Sequence, residues 1–169
     1  ANAKASSRFS LTRQQIFLAL AKEVPDPSGA AQLVPNPYQQ WSAIDASLPE
    51  VGIEVLGPPP TSGTRDAFVE LVMDHGCASF EAIAALPAGA VQAACHTIRE
   101  DGKFIEAGEN DNLIVQKLEA NPDALGIFGY SFLDQNYDKV QGSLIDGQGP
   151  DFDAIADGSY PVSRPLYFY

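Results

Sequence analysis

Residues 61–65 read TSGTR and place hydroxyl side chains around one glycine, directly before an arginine. Gly63 lets the backbone come close to a ligand, while Ser62 and Thr64 add hydroxyl groups that can donate hydrogen bonds. Arg65 adds a forked, permanently charged donor. At the start of a helix these groups suit a small tetrahedral oxyanion, because the first backbone amides of a helix have no partner within it. The segment therefore predicts an oxyanion site, with phosphate as the first candidate.

The elements on either side of this segment would position its donors. Apolar residues alternate in VGIEVLG at 51–57, which predicts a strand, and the three prolines at 58–60 end it. An amphipathic helix then begins at residue 61 or 62 and runs to about Met73, with Gly76 as its C-terminal stop. The prolines also restrict the approach to the helix, so that few conformations are lost when a ligand orders it.

A plain helix cap is the alternative interpretation of TSGTR. Serine and threonine are common caps, and Arg65 could pair on the surface with Asp66 or Glu70 instead of facing a ligand. The glycine spacing does not match a phosphate-binding P-loop, and no Gly-Lys-Ser/Thr sequence follows. The pattern alone therefore leaves the oxyanion site and the cap both open.

The two cysteines are the other residues that could do chemistry. A pair, Cys77 and Cys95, favours one disulfide and an oxidising compartment, with free buried thiols as the alternative. Together with His75 and His96 they could be imagined as a zinc site. The adjacent Cys95 and His96 are poorly spaced for tetrahedral chelation, so we expect no metal. No hydrolase motif is present, and we expect a protein that is not an enzyme and needs no cofactor.

The rest of the chain alternates between predicted strands and helices, which indicates an α/β fold with a mixed sheet. Thr12 and Gln15 form a capping-box pattern at the start of the first helix. The apolar run at 125–133 is predicted as the central strand. The other predictions are helices at 11–22, at 79–100 with a break near Pro87 and Gly89, and at 110–120, helical turns at 41–48 and 151–158, strands at 102–108 and 139–147, a loop at 25–37 and an extended segment at 159–169.

Length and charge narrow the class of protein. The 169 residues suit one domain with a core of its own. A formal net charge of −12 repels nucleic acid and anionic lipid, so both are excluded as partners. No apolar run reaches the roughly 18 residues that a membrane-spanning helix needs. In so acidic a protein, an anion must be held by local donors.

Several segments together resemble the periplasmic phosphate-binding proteins of ABC transporters (PstS-like). That family has two α/β lobes of the periplasmic-binding-protein type II fold, with the anion bound between them. The similarity implies that residues 1–169 are the lobe that is continuous in sequence, an α/β/α layered unit without the first lobe. The segments that carry it are LTRQQIFLAL, NPYQQW, GPPPTSGTRDAFVELVM, GENDNLIVQKLEANPDALGIFGYSFL and GSYPVSRPLYFY.

The resemblance also implies roles for residues of the site. Ser62, Gly63 and Thr64 would contact phosphate through N–H and hydroxyl groups, and Arg65 would supply the cation. Many family members carry an arginine a few residues before SGT, where this chain has prolines at 58–60. This departure puts more weight on Arg65 and leaves its role less certain than those of the other three residues.

The function that the resemblance implies is binding of inorganic phosphate as the periplasmic component of an ABC transporter. The partners would be the missing first lobe and a membrane permease, and residues 160–169 would be the hinge and return strand. We expect the chain to be part of something longer, and exposed apolar surface at 166–169 to favour a homodimer. The alternative is a phosphate-binding-like interaction or assembly module with no transport role.

Overall fold

The computed structural model describes residues 1–108 and 110–164. The strands are β1 Asn2–Ala3, β2 Ser10–Leu11, β3 Glu23–Pro25, β4 Leu33–Pro35, β5 Val55–Gly57, β6 Phe104–Glu106, β7 Leu125–Gly126, β8 Val140–Gln141 and β9 Leu144–Ile145. The helices are α1 Arg13–Leu20, α2 Trp41–Ile44, α3 Gly63–Phe68, α4 Asp74–Cys77, α5 Glu81–Ala84, α6 Ala88–His96, α7 Asp111–Ala120, α8 Tyr130–Gln135 and α9 Phe152–Ala156. A π-helical segment, Val69–Met73, joins α3 to α4 with helical backbone angles at both junctions. One helix therefore runs from 63 to 77.

A three-stranded parallel sheet lies at the centre of the fold, in the order β6–β5–β7. Val55 of β5 is in register with Phe104 and Leu125, and all three belong to the larger core, which also contains α1, helix 63–77 and α6. The next residue of β5, Leu56, belongs to a second core against α7. Since alternate residues of a strand face opposite sides, helices cover both faces of the sheet. This is the layered α/β/α arrangement that the family resemblance implied.

Three smaller sheets complete the fold. β1 pairs with β8 in the antiparallel direction, β2 pairs with β9 in the parallel direction, and β3 and β4 form an antiparallel hairpin. Parallel and antiparallel pairs therefore both occur, which agrees with the predicted mixed α/β class. Nowhere in residues 1–108 and 110–164 is a helix both long and apolar enough to cross a membrane.

Local capping signals predicted the helix starts well. Thr12 and Gln15 form the reciprocal capping box at α1, and the Asn110 side chain accepts from the Asn112 amide at α7. Asp151 caps α9 in the same way, with its carboxylate accepting from the Ala154 amide. The predicted break in 79–100 is confirmed, since α5 and α6 are separate helices with Pro87 at the start of the second. The strand predicted at 102–108 is present as the shorter β6, Phe104–Glu106.

The prediction of a central strand over 125–133 is wrong. Only Leu125–Gly126 is a strand, it lies at the edge of the sheet, and β5 is central instead. Gly129, in extended conformation, precedes α8, so Tyr130 to Leu133 are helical. A short apolar run fits a buried strand and a buried helix equally well, and its periodicity could not separate them.

The predicted C-terminal stop at Gly76 is also wrong, because the helix continues through it to Cys77. Gly76 is buried where helix 63–77 crosses α1. A Cβ atom built there would overlap the carbonyl oxygen of Arg13 and lie 2.8 Å from the Cβ of Phe17. The glycine is therefore required by close packing of two helix backbones rather than by a turn.

The remaining differences concern short strands. The predicted loop at 25–37 overlaps the β3–β4 hairpin and includes its turn, where Gly29 has a φ of 89° and the Asp26 carboxylate accepts from the Ser28 amide. The strand predicted at 51–57 begins only at Val55, and the one at 139–147 divides into β8 and β9. The predicted extended segment is a turn near Tyr160, and its final part, 165–169, lies outside the described residues.

Candidate functional site

The corner between β5 and helix 63–77 consists of residues 58–65. It is held by hydrogen bonds among its own residues. Ser62 is the N-cap, and its hydroxyl oxygen accepts a hydrogen bond from the Thr64 amide at 3.1 Å. The Ser62 amide donates to the Pro59 carbonyl at 3.0 Å, which closes the proline turn. Its carbonyl accepts from the Asp66 amide at 3.2 Å. The helix start is thus fixed in space before any ligand arrives.

Two backbone amides in the first turn are left over by this arrangement. Within residues 1–108 and 110–164, the amides of Gly63 and Arg65 donate to no protein acceptor. Gly63 is exposed, and a Cβ atom added to it would meet no atom within 4 Å. Ser62 and Thr64 are half-buried beside it. The corner can therefore offer two N–H donors and the Thr64 hydroxyl to an anion in solvent.

The guanidinium of Arg65 is held against the turn. Its Nη1 donates to the carbonyl of Pro58 at 3.1 Å, and its Cζ lies 4.6 Å from the centroid of the Phe104 ring. The same ring lies over Gly57, where a Cβ atom would be only 2.5 Å from Phe104 Cζ. Burial lowers the pKa of Arg65 below its usual value, and Glu106 and Asp66 partly offset this. An arginine remains charged at neutral pH even so, and its charge lies beside the corner.

A cavity of about 550 Å³ opens next to the corner, with Gly63 and Thr64 in its wall. Most of the wall is apolar, but it also contains Trp41 and Ser143, which are 0% and 5% exposed. The indole Nε1 of Trp41 and the hydroxyl of Ser143 have no hydrogen-bond partner within residues 1–108 and 110–164. Arg65 is not part of this wall.

The sequence patterns did not predict that these residues line a cavity. Trp41 begins the helical turn predicted at 41–48, and no pattern in the sequence indicates a role for Ser143. Tyr160 was assigned to the hinge and also lines the cavity, where burial raises its pKa to about 12 although Arg8 acts in the opposite direction. A cavity wall joins residues far apart in the chain, so no local signal could have shown it.

The two cysteines are joined by a disulfide, Cys77–Cys95, which links the end of helix 63–77 to α6. Beside it the Nε2 of His96 lies 2.6 Å from the Asp74 carboxylate. The disulfide occupies both sulfur atoms, which leaves no thiolate for zinc. Among the described residues no three histidine, cysteine or carboxylate side chains form a group that could hold a metal ion.

A family model described as a PBP superfamily domain matches residues 1–169. The chain belongs to the PBP superfamily. Its curated relatives include the phosphate-binding proteins PstS of Staphylococcus haemolyticus and Staphylococcus saprophyticus, which are 34% and 33% identical to it over 134 residues. The aligned part is 76% of this chain and 34% of each relative, so the chain spans about a third of their length. This PBP superfamily member is therefore PstS-like, as the sequence segments indicated.

Solved structures support the same fold for this PBP superfamily member. The chain matches a structure described as a possible phosphate binding protein from Planctomyces limnophilus, with a TM-score of 0.62 and 22% identity over 94% of this chain and 46% of that one. It matches PstS from Borrelia burgdorferi with a TM-score of 0.61 and 11% identity, over 95% of this chain and 52% of that one. At these identities the similarity concerns the fold, and it confirms the predicted fold class.

Proposed function

We propose that this chain binds inorganic phosphate at Ser62, Gly63 and Thr64, as part of a solute-binding protein. The observation that carries the proposal is that the amides of Gly63 and Arg65, at an exposed helix start, donate to no acceptor among the described residues. Unused amides and the dipole of helix 63–77 favour an anion there without help from the acidic protein as a whole. The names of the relatives point to phosphate as the anion.

Arg65 would contribute charge more than a direct contact in the conformation described here. Its guanidinium lies between the Phe104 ring and the Pro58 carbonyl, where it holds the proline turn and adds a positive potential to the corner. The carbonyl that accepts the Arg65 hydrogen bond belongs to Pro58. This residue is part of the proline run that stands where many family members carry an arginine. A rotation about the Arg65 side chain would be enough to exchange the Pro58 carbonyl for a bound oxyanion.

The chain would supply one half of the ligand site. We propose that residues 1–169 form one lobe of a two-lobed protein, with residues 160–169 as its hinge, and that the second lobe adds the remaining donors when it closes. The coverage of relatives, about a third to a half of their length, supports this arrangement. The role would be binding rather than catalysis, outside the cytoplasm, with a membrane permease of an ABC transporter as partner. The Cys77–Cys95 disulfide suits such an oxidising location.

A charge placed at the corner tests the proposal directly. Gly63→Asp adds a carboxylate where no atom would obstruct it, and an acidic residue in the first turn favours the helix. The matched control is Gly89→Asp, which adds the same charge to the first turn of α6, also in open space. Phosphate binding would be measured by calorimetry or by amide shifts for both variants and the parent chain, with thermal unfolding as a check on the fold.

The parent chain should bind phosphate with a dissociation constant on the order of 1 mM or weaker, because half of the donors are absent. Gly63→Asp should weaken binding by about tenfold or more through charge repulsion, while Gly89→Asp should leave it unchanged. Equal loss in both variants would point to net charge instead of the corner. A folded parent chain that binds no phosphate would favour the alternative, an interaction or assembly module in which TSGT is only a helix cap.

A further inference from the structure

The Phe104 ring contacts both the bare backbone of Gly57 and the guanidinium of Arg65. A Cβ atom added at Gly57 would lie only 2.5 Å from Phe104 Cζ, so any side chain there would displace the ring. The Arg65 guanidinium lies over the ring, with its Cζ 4.6 Å from the ring centroid. Phe104 itself is buried in β6, which pairs with β5, and it is therefore a fixed platform beside the corner.

The guanidinium of Arg65 is held without using most of its N–H groups. Among the described residues, the one hydrogen-bond acceptor that it meets is the Pro58 carbonyl, 3.1 Å from Nη1. No carboxylate in the described part of the chain forms an ion pair with it, and Glu106 and Asp66 act on its charge only at longer range. A hydrogen bond has a preferred direction, whereas an aromatic face attracts a cation whichever acceptor its N–H groups meet. The ring can therefore hold the guanidinium while its hydrogen bonds change.

We propose that Phe104 is a positioning residue for the anion site at residues 62–64. Its ring keeps the Arg65 guanidinium beside the corner while one N–H group exchanges the Pro58 carbonyl for a bound oxyanion. Because the guanidinium stays on the ring in both states, binding orders little additional side chain, and the anion loses less of its binding free energy to conformational entropy. This inference rests on the proposed phosphate site and adds the residue that keeps the cation of that site within reach.

The side-chain Nε–H group of Arg65 reports on both parts of this proposal in the parent chain. Its proton should resonate upfield of the usual position, because the guanidinium lies over the face of an aromatic ring. Titration with inorganic phosphate should then move this resonance along the same saturable curve as the Gly63 amide. The Nε–H group of Arg99 is the control, since it already donates to the Asp101 carboxylate at 2.8 Å, and its resonance should stay in place.

Two substitutions and their combination measure whether the ring acts through the guanidinium. Arg65→Gln removes the charge and should weaken phosphate binding by about threefold to tenfold. Phe104→Leu removes the ring but keeps an apolar side chain, and should weaken binding by about twofold to fivefold. In the Arg65→Gln background, Phe104→Leu should have no further effect. The matched control is Phe17→Leu, which makes the same change in the same core, against Gly76 at the other end of helix 63–77, and should leave the affinity unchanged.

The possible outcomes distinguish this inference from the proposed function. If Phe104→Leu weakened phosphate binding equally with and without Arg65→Gln, the ring would act through the fold, and the inference would be overturned with the phosphate site still in place. An unchanged affinity in a folded Phe104→Leu chain would overturn it as well. If thermal unfolding showed that this variant does not fold, an Arg65 Nε–H resonance in the parent chain that ignored phosphate would decide against the inference. A folded parent chain that bound no phosphate would remove the proposed function together with the inference.

Discussion

Replacing Gly76 by alanine tests how closely helix 63–77 packs against α1. The glycine is buried within the helix, and its missing side chain leaves room for the backbone of Arg13. An alanine Cβ would overlap the Arg13 carbonyl oxygen, lie 2.8 Å from the carbonyl carbon of that residue and lie 2.8 Å from Phe17 Cβ. Backbone atoms on two helices cannot move aside as a flexible side chain can. The two helices must therefore separate or shift along each other.

Two opposing effects set the magnitude. Alanine in place of glycine favours an exposed helix interior by up to about 1 kcal/mol. Overpacking of a core costs about 1–3 kcal/mol, and a clash with backbone atoms belongs at the upper end of that range. The free energy of unfolding should therefore fall by about 1–2 kcal/mol. With a urea m-value of about 2 kcal/mol/M, the midpoint should fall by roughly 0.5–1 M.

Urea unfolding followed by circular dichroism would measure this change. Gly89→Ala is the matched control, because Gly89 lies in α6 and its added Cβ would meet no atom within 4 Å. The control should keep the midpoint or raise it slightly, by up to about 0.5 M. An unchanged or raised midpoint for Gly76→Ala, at the same m-value, would refute the interpretation that Gly76 is a packing glycine.

Two further perturbations concern the stability of the fold. Replacing both Cys77 and Cys95 by serine removes a cross-link between positions 18 residues apart and should lower the free energy of unfolding by about 3 kcal/mol. Urea unfolding measured against the oxidised parent chain tests this, and a loss below about 1 kcal/mol would contradict it. Asp101→Asn tests the contact in which the buried Arg99 guanidinium donates to the Asp101 carboxylate and lowers its pKa below the usual 3.8. A lowered folded-state pKa stabilises the protein above the unfolded value and the gain is lost as pH falls through the folded value. Since this carboxylate is half exposed, the variant should be less stable at neutral pH by less than about 1 kcal/mol, and the difference in melting temperature should close as the pH falls below the usual pKa and through the lowered folded-state pKa. A difference that widened in acid would have the wrong sign.

The parts of the fold that could be predicted from the sequence are those fixed by neighbouring residues. The capping box of Thr12 and Gln15 and the serine cap at Ser62 involve atoms within a few positions, so the pattern and the contact coincide. The C-terminal end of helix 63–77 could not be predicted in this way, because the role of Gly76 depends on a distant contact. A glycine that terminates a helix and one that admits a second backbone look identical until the partner, here α1, is placed.

Tertiary contacts also limited the prediction of the site. The helix start at Ser62 and the small residue Gly63 are local features, and the structure places them at an exposed corner as expected. The orientation of Arg65 toward Pro58 depends on the Phe104 ring, which belongs to β6, a strand much later in the chain. The buried donors of the cavity likewise come together only through packing. The start of this helix could therefore be predicted from the sequence, but the environment around it could not.

The amide resonances of Gly63 and Arg65 give the most direct test of the central claim, since these two amides at the start of helix 63–77 have no acceptor within residues 1–108 and 110–164. In a nitrogen-15 correlation spectrum of the chain, titration with inorganic phosphate should move both resonances along one saturable curve, with a dissociation constant on the order of 1 mM or weaker. Resonances in α6, including Gly89, should stay in place. The account would be contradicted if the amides of Gly63 and Arg65 did not respond at phosphate concentrations that saturate shifts elsewhere in the protein.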